Sequence, residues 1–418
     1  MDERTRPVRT APLRFLASVN ESVLPEATSP DFTFKYVDIS QVDGNGEISI
    51  PDDPIKFGAA PSRARRVAEP GSTVVSTVRT YLRAIAAVPT VDDQLVFSTG
   101  FAVLRPLQGE PRYFSYACRS DVFVNEIVAR SVGVSYPAIS PSELMDIRLP
   151  SPDITEQRRI ADFLDDCVAR IDQIVAARHI QRRLLAQATS SRLQELQDAW
   201  TQSCGETRLG RVLLDLEQGW SPQAESTPAE PGEWGVMRSG CVNDGVFREH
   251  DNKRLPETLD PQKEYELRPG DLLVSRASGS LDKIGSAAVV PSGVRERLLL
   301  CDKIYRLTPL PGWDPHFIAP MLRTHRNREL IRLGVSGAEG MANNLPSGVI
   351  RGLMVPLAPQ TQQASFSQTL ANLEKQSRLA DDALIQSVNL LQEYKQSLIT
   401  AAVTGELDVT TAGSGIPG

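Results

Sequence analysis

The side chains with the clearest chemical capacity are hydrogen-bond donors set at alternate positions. Thr77, Arg79, Tyr81 and Arg83 alternate in the first half of the chain, so in an extended segment they would project from one face. In the second half Arg276, Ser278 and Ser280 alternate in the same way, with Lys283 just beyond. Asn343 and Asn344, ahead of Leu345-Pro346, add amide groups, for which a turn is an equally good explanation. An arginine fork fits a guanine edge or a phosphate, an asparagine amide fits adenine, and hydroxyls fit either. The plainer alternative for each arginine is a surface charge or an ion-pair partner. Arg63, Arg65 and Arg66 form a basic cluster that reads as a phosphate patch or as a solvated loop.

Catalytic sets are not evident. Gly44-Asn45-Gly46 is a lone G-x-G in a turn-rich setting and reads as a hairpin. No G-x-x-x-x-G-K-[ST] phosphate loop occurs, and no Asn/Asp-Pro-Pro-aromatic phrase of the kind used to methylate bases. Asp52, Asp53 and Lys56 lie close together but lack the strand context of a nuclease. Five scattered cysteines (Cys118, Cys167, Cys204, Cys241, Cys301) and four histidines show no metal-ligand spacing.

Composition narrows the class further. A hydrophobic fraction of 41% and a charged fraction of 23% are ordinary for a water-soluble globular chain. No apolar run approaches the ~20 residues that span a bilayer, and the apolar stretch Leu13 to Ala17 is too short for a signal peptide, so a cytoplasmic location is expected. The net charge of −7 argues against a non-specific nucleic-acid coater. Residues 1–150 carry 16 basic against 18 acidic side chains, and residues 206–356 carry 19 against 20, so any attraction for DNA must come from local clustering.

The elements that would position these donors come in two copies. Leu149-Pro150-Ser151-Pro152 followed by Thr155-Glu156-Gln157 recurs as Val355-Pro356-Leu357-Ala358 followed by Thr361-Gln362-Gln363. Weaker echoes pair Val74-Val75-Ser76 with Leu273-Val274-Ser275, Leu95-Val96-Phe97 with Leu298-Leu299-Leu300, and Tyr36-Val37 with Gly235-Val236. Each copy holds short β-branched runs between turn residues, then a helical segment. A 4-3 spacing runs through Ile160, Leu164, Cys167, Ile171 and Ile174. It runs again through Phe366, Leu370, Leu373, Ser377, Ala380, Leu384, Ser387, Leu391, Tyr394 and Leu398. Two matched helices of about 40 residues most economically pair antiparallel with each other. The expected fold is therefore α+β: two pseudo-symmetric recognition domains (residues 1–150 and 205–356) separated by two long antiparallel coiled-coil helices (151–204 and 357–409), with a flexible tail at 410–418.

The stretch from Arg148 to Ile160, RLPSPDITEQRRI, resembles the start of the central conserved helix of type I restriction-modification specificity (S) subunits. The tail from Ser397 to Val409, SLITAAVTGELDV, resembles the end of their distal conserved helix. Gly270 to Arg276 in the second half, and Ser76 to Arg79 with Ser98 to Pro106 in the first, resemble target-recognition phrases. The distal repeat departs from the pattern with Gln362-Gln363-Ala364, and the first helix lacks an Ala-Ala-Val-Thr-Gly ending.

The resemblance implies a non-catalytic DNA-recognition subunit that reads a bipartite, asymmetric target, with the helix pair as a ruler between half-sites. It implies two modification (methyltransferase) subunits and restriction (motor/nuclease) subunits as partners. S-adenosylmethionine, ATP and Mg2+ would reside on those partners. The rivals are a coiled-coil scaffold with no nucleic-acid role, and a recognition subunit serving a modification-only assembly.

Overall fold

The computed structural model describes residues 8–133, 136–335 and 343–412. Two long helices organise it: α4 (Ile154–Cys204) and α8 (Gln360–Thr404). The chain forms two compact units. One holds residues 1–179 with 385–418, the other 180–384, so each contains one globular copy and a stretch of both long helices. The tail expected at 410–418 lies mostly outside the described residues.

In the first unit the strands are β1 (Thr10–Pro12), β2 (Ala17–Val19), β3 (Thr33–Val37), β4 (Ile55–Lys56), β5 (Ala64–Ala68), β6 (Thr73–Ser76), β7 (Ile85–Ala87), β8 (Leu95–Ser98), β9 (Phe101–Pro106) and β10 (Arg148–Pro150). The short helices are α1 (Pro111–Arg119), α2 (Asp121–Arg130) and α3 (Pro141–Leu144). Two four-stranded sheets are ordered β2-β9-β6-β7 and β4-β3-β8-β5, and β1 pairs with β10 in a separate two-stranded sheet. The first sheet is covered on both faces. Val75, Ile85, Ala102 and Leu104 pack with α1, α2 and the long helices, while Val74, Ala86, Val103 and Phe101 pack with Val37 and Phe97 of the second sheet. Burial on both sides explains why β6 and β8 read as continuous apolar runs instead of alternating ones.

The second unit repeats the plan. Its strands are β11 (Glu206–Arg208), β12 (Leu213–Gln218), β13 (Gly235–Met237), β14 (Asn252–Arg254), β15 (Leu272–Ser275), β16 (Ala277–Ser278), β17 (Ala287–Val289), β18 (Leu298–Leu299), β19 (Ile304–Pro309), β20 (Asn343–Asn344) and β21 (Met354–Pro356). Its short helices are α5 (Pro315–Met321), α6 (His325–Gly334) and α7 (Ser347–Gly352). The sheet β12-β19-β15-β17 matches β2-β9-β6-β7 strand for strand. The parallel pairing of β13 with β18 repeats that of β3 with β8, with Val236 opposite Leu299 and Tyr36 opposite Val96. The echoes in the sequence are thus the same strands in two copies.

The long helices pair antiparallel. In the second unit Arg182 meets Asp381 at 2.6 Å, Thr189 meets Ser377 at 2.9 Å, and Trp200 stacks on Phe366 with centroids 4.0 Å apart. In the first unit Ile160, Leu164, Cys167 and Ile171 share a core with Leu398, Ile399, Ala402 and Val403, and Lys395 Nζ lies 2.7 Å from Asp172. The 4-3 spacing overstates the seam in α8, because Ala380 and Tyr394 face solvent and Val388 and Lys395 are buried instead. A helix turns every 3.6 residues, so a pattern spaced at 3.5 drifts off the contact line unless the pair supercoils.

The repeated glutamine has a structural reason. Gln157 Oε1 accepts from Glu110 N at 3.0 Å, and Gln363 Oε1 accepts from Asp314 N at 2.7 Å. Glu110 and Asp314 are the N-caps of α1 and α5. Each glutamine therefore ties the start of a long helix to the start of a domain helix. The neighbouring Arg158 adds an ion pair to Glu110 at 3.9 Å that the second copy, with Ala364, lacks, while the glutamine bond is kept in both.

Candidate nucleic-acid interface

All the donor residues but Asn343 and Asn344 sit in one loop of each domain, and main-chain hydrogen bonds put the two loops in register. In the first domain Ser76 N donates to Ala84 O (2.9 Å), Thr77 N to Gly100 O (2.8 Å) and Ile139 N to Thr77 O (2.9 Å). In the second, Ser275 N donates to Ser286 O (2.8 Å), Arg276 N to Lys303 O (2.8 Å) and Leu345 N to Arg276 O (2.8 Å). Thr77 is therefore the counterpart of Arg276, and Arg79 that of Ser278. Arg79 and Arg276 thus hold different places in the two loops, in keeping with the alignment of Ser76 with Ser275.

The expected shared face of Thr77, Arg79, Tyr81 and Arg83 does not form. Thr80–Leu82 is a single 3-10 turn between two left-handed residues, Arg79 (φ 51°) and Arg83 (φ 57°), so the segment is not extended. Thr77 is buried, with its hydroxyl on Gly100 O at 2.9 Å, and Arg83 is ion-paired to Asp121 at the start of α2. Arg79 and Tyr81 remain exposed. The Arg79 guanidinium lies 4.6 Å from the centre of the Tyr136 ring, a cation–π contact that holds it outward. No sequence pattern marked Tyr136, because the contact joins two loops far apart in the chain.

In the second domain the alternation of Arg276, Ser278 and Ser280 ends at Ser278, because β16 is two residues long and Ser280 N turns back to Ser278 Oγ at 3.2 Å. Arg276 is half-buried and braces the loop: its Nε donates to Tyr305 Oη and its Nη1 to Asp302 O, both at 3.2 Å. Lys283 Nζ meets Asp244 at 2.6 Å. β16 and β20 pair with Ser278 opposite Asn343 and Ala277 opposite Asn344. The serine and asparagine sets, distant in sequence, thus meet on one ladder. In the first domain Val78 bridges Ala138 at the corresponding place.

Two members of the basic cluster have local partners. Arg63 meets Asp38 at 2.5 Å and Arg65 stacks over Phe57 at 4.7 Å. Among the described residues no group of three or more His, Cys, Asp or Glu side chains could hold a metal ion. Burial pushes the Cys118, Cys241 and Cys301 thiols upward, Cys301 to about 12, which leaves them poor nucleophiles at neutral pH.

A second pair of arginines escaped the reading of the sequence. Arg119 closes α1 and donates to Asn45 O. Arg323, just after α5, donates to Asp244 O at 3.4 Å and pairs with Glu374 of α8. Both are half-buried beneath a turn whose glycine has positive φ, Gly46 (83°) and Gly245 (74°), and a Cβ on either glycine would strike the guanidinium. Burial lowers the pKa of both, Arg323 to about 10. The signal was present, since Arg119 and Arg323 stand at the same distance from the acid-Pro starts of their helices, Glu110-Pro111 and Asp314-Pro315. Each turn abuts the donor loop of its own domain. A Cβ on Gly44 would touch Leu82 O at 3.1 Å, and Asp244 holds Lys283.

In each unit a four-stranded sheet packs with the long helices and carries a donor-bearing loop. Residues 67–181 match the family described as "Type I restriction modification DNA specificity domain". The chain is similar to the specificity (S) subunits of type I restriction-modification systems. It is 28% identical over 171 residues to the EcoEI specificity subunit of Escherichia coli, covering 40% of this chain and 28% of that one. It is 22% identical over 310 residues to the EcoKI specificity subunit of Escherichia coli (strain K12), covering 71% of this chain and 65% of that one. The chain thus spans less than two thirds of the length of either relative. Its fold matches a chain solved in work on complex assembly and conformational transition of the type I R-M system, with a TM-score of 0.64 and 24% identity over 97% of this chain and 100% of that one.

Proposed function

We propose that this chain is the non-catalytic, sequence-reading subunit of a type I system, with each globular domain reading one half of a bipartite, asymmetric DNA target. The observation that carries the reading is the duplicated frame with unlike occupants. The same main-chain bonds present Arg79 and Tyr81 in one domain and Ser278 with Asn343 in the other. Equivalent frames fit equivalent halves of a two-fold duplex, and unlike side chains call for unlike half-sites. Residues 1–150 and 205–356 serve as the recognition domains, and residues 151–204 and 357–409 as the spacer that sets the number of unread base pairs.

Methyltransferase and restriction subunits supply the chemistry, with S-adenosylmethionine, ATP and Mg2+ on those partners. They also supply the basic surface that near-neutral domains lack, so the chain alone binds a target duplex weakly in a gel shift at physiological salt. Methylome sequencing of cells carrying the chain and its methyltransferase tests the reading. A two-part motif is expected, and substituting Ser278→Ala with Asn343→Ala relaxes one half of it. Loss of both halves together, or methylation with no motif, refutes it.

A further inference from the structure

The donor loops carry a feature that the donors do not explain: an exposed aliphatic side chain on a turn that is clamped in place. In the first domain the turn Arg79–Arg83 displays Leu82, 48% exposed, beside Tyr81, 54% exposed. Its two left-handed arginines, its Arg83–Asp121 ion pair and the 2.7 Å bond between the Thr80 and Ser131 hydroxyls hold it to α2 and the segment after it. In the second domain the longer loop displays Leu281, 47% exposed. There Arg328 of α6 donates to three carbonyls of the loop, Leu281 O (3.0 Å), Asp282 O (3.3 Å) and Ile284 O (2.5 Å), and Arg332 meets Asp282 at 3.2 Å. Different residues reach the same result twice, each anchoring the loop to the second short helix of its domain.

Non-glycine residues in the left-handed region cost free energy and persist where the surroundings over-determine them. Exposed leucine contributes nothing to a core. The first loop is both strained and anchored and the second is anchored alone; an aliphatic tip held in this way is a contact element waiting for an apolar group. In the first domain the tip stands three residues from Arg79, whose exposed guanidinium rests on Tyr136 and has no carboxylate partner among the described residues. Positive charge beside an apolar tip fits a duplex better than another protein surface. On the major-groove edges of the base pairs the other recognition groups are hydrogen-bond donors and acceptors, and the thymine C5-methyl is the apolar one.

We propose that Leu82 and Leu281 are specificity residues, each packing on a thymine C5-methyl and so fixing an A·T pair in the half-site read by its own domain. The proposal rests on the DNA-reading function above and adds the atom that is read.

The test uses the full chain in complex with its methyltransferase, and target duplexes in which single thymines are replaced by deoxyuridine, which removes the methyl alone. With the unsubstituted complex, one deoxyuridine position in each half-site is expected to weaken binding about three- to fivefold, the worth of one buried methyl. Leu82→Ala abolishes that sensitivity in one half-site and Leu281→Ala in the other, with melting temperature and co-purification of the methyltransferase unchanged. Uniform indifference to deoxyuridine, or half-sites with no A·T pair, overturns this proposal while leaving the recognition function standing. If either substitution releases the methyltransferase, the tip is a protein contact and the proposal is also wrong. If the unsubstituted complex shows no sequence preference at all, the recognition function fails and takes this proposal with it.

Discussion

At the scale of single residues, the side chains that matter most are those held by something other than their neighbours in sequence. Gly245 sits at φ 74° with the Arg323 guanidinium where a Cβ would be. Gly245→Ala is expected to cost the second unit about 2 kcal/mol or more, from backbone strain and the displaced arginine together. Denaturant unfolding of the full chain measures it, and a loss under about 0.5 kcal/mol contradicts the packing described. Asp244 carries a pH signature. Desolvation raises its pKa, but Lys283 and Arg248 more than offset this and hold it below the ordinary carboxylate value. A carboxylate with a lowered folded pKa adds stability that is complete above the unfolded value of about 3.9 and is lost as pH falls through the folded value. Asp244→Asn should therefore flatten the acid limb of stability below about pH 4, as followed by thermal melting across pH. An unchanged acid limb would show that the Lys283 and Arg248 contacts are not formed in solution.

Among the elements, the helix pair is informative because its partnering polar groups are unequally buried. Lys395 is 6% exposed at its side chain and Asp172 38%. Removing the aspartate strands a buried ammonium, whereas removing the lysine leaves a carboxylate that water can reach. Asp172→Ala is expected to cost about 3 kcal/mol and Lys395→Met clearly less, since breaking a buried pair is costly chiefly through the charge left behind. Equal losses in chemical denaturation would mean that the pair is solvated. Gln157 and Gln363 lock each long helix to a domain helix, so Gln157→Ala should loosen the first domain without affecting the second. Hydrogen exchange at α1 and α5 separates the two cases.

On the scale of the whole molecule, two units of one plan carry different side chains at equivalent places, which is what an asymmetric reader requires. Under the proposed function, adding seven residues to each long helix lengthens it by about 10 Å. The number of unread base pairs in the methylated motif should change while both half-sites stay the same. A motif with an unaltered spacer would remove the helices from the role of ruler.

The repeat, the helix pair and the α+β class were legible in the sequence because each depends on local periodicity. Apolar residues recur at helical spacing, strands appear as apolar runs between turns, and a duplicated segment keeps its order along the chain. The donor loops were found by residue type, but their geometry was misread. Alternation places side chains on one face only if the backbone is extended, and at Arg79 and Arg83 long-range bonds to Pro137 O and Asp121 enforce left-handed turns instead. The Tyr136 ring beneath Arg79, the Ser278–Asn343 ladder and the placing of Arg119 and Arg323 beneath their glycine turns were decided by the tertiary structure alone. Each depends on segments that meet only when the sheets close, so no window of sequence contains both partners.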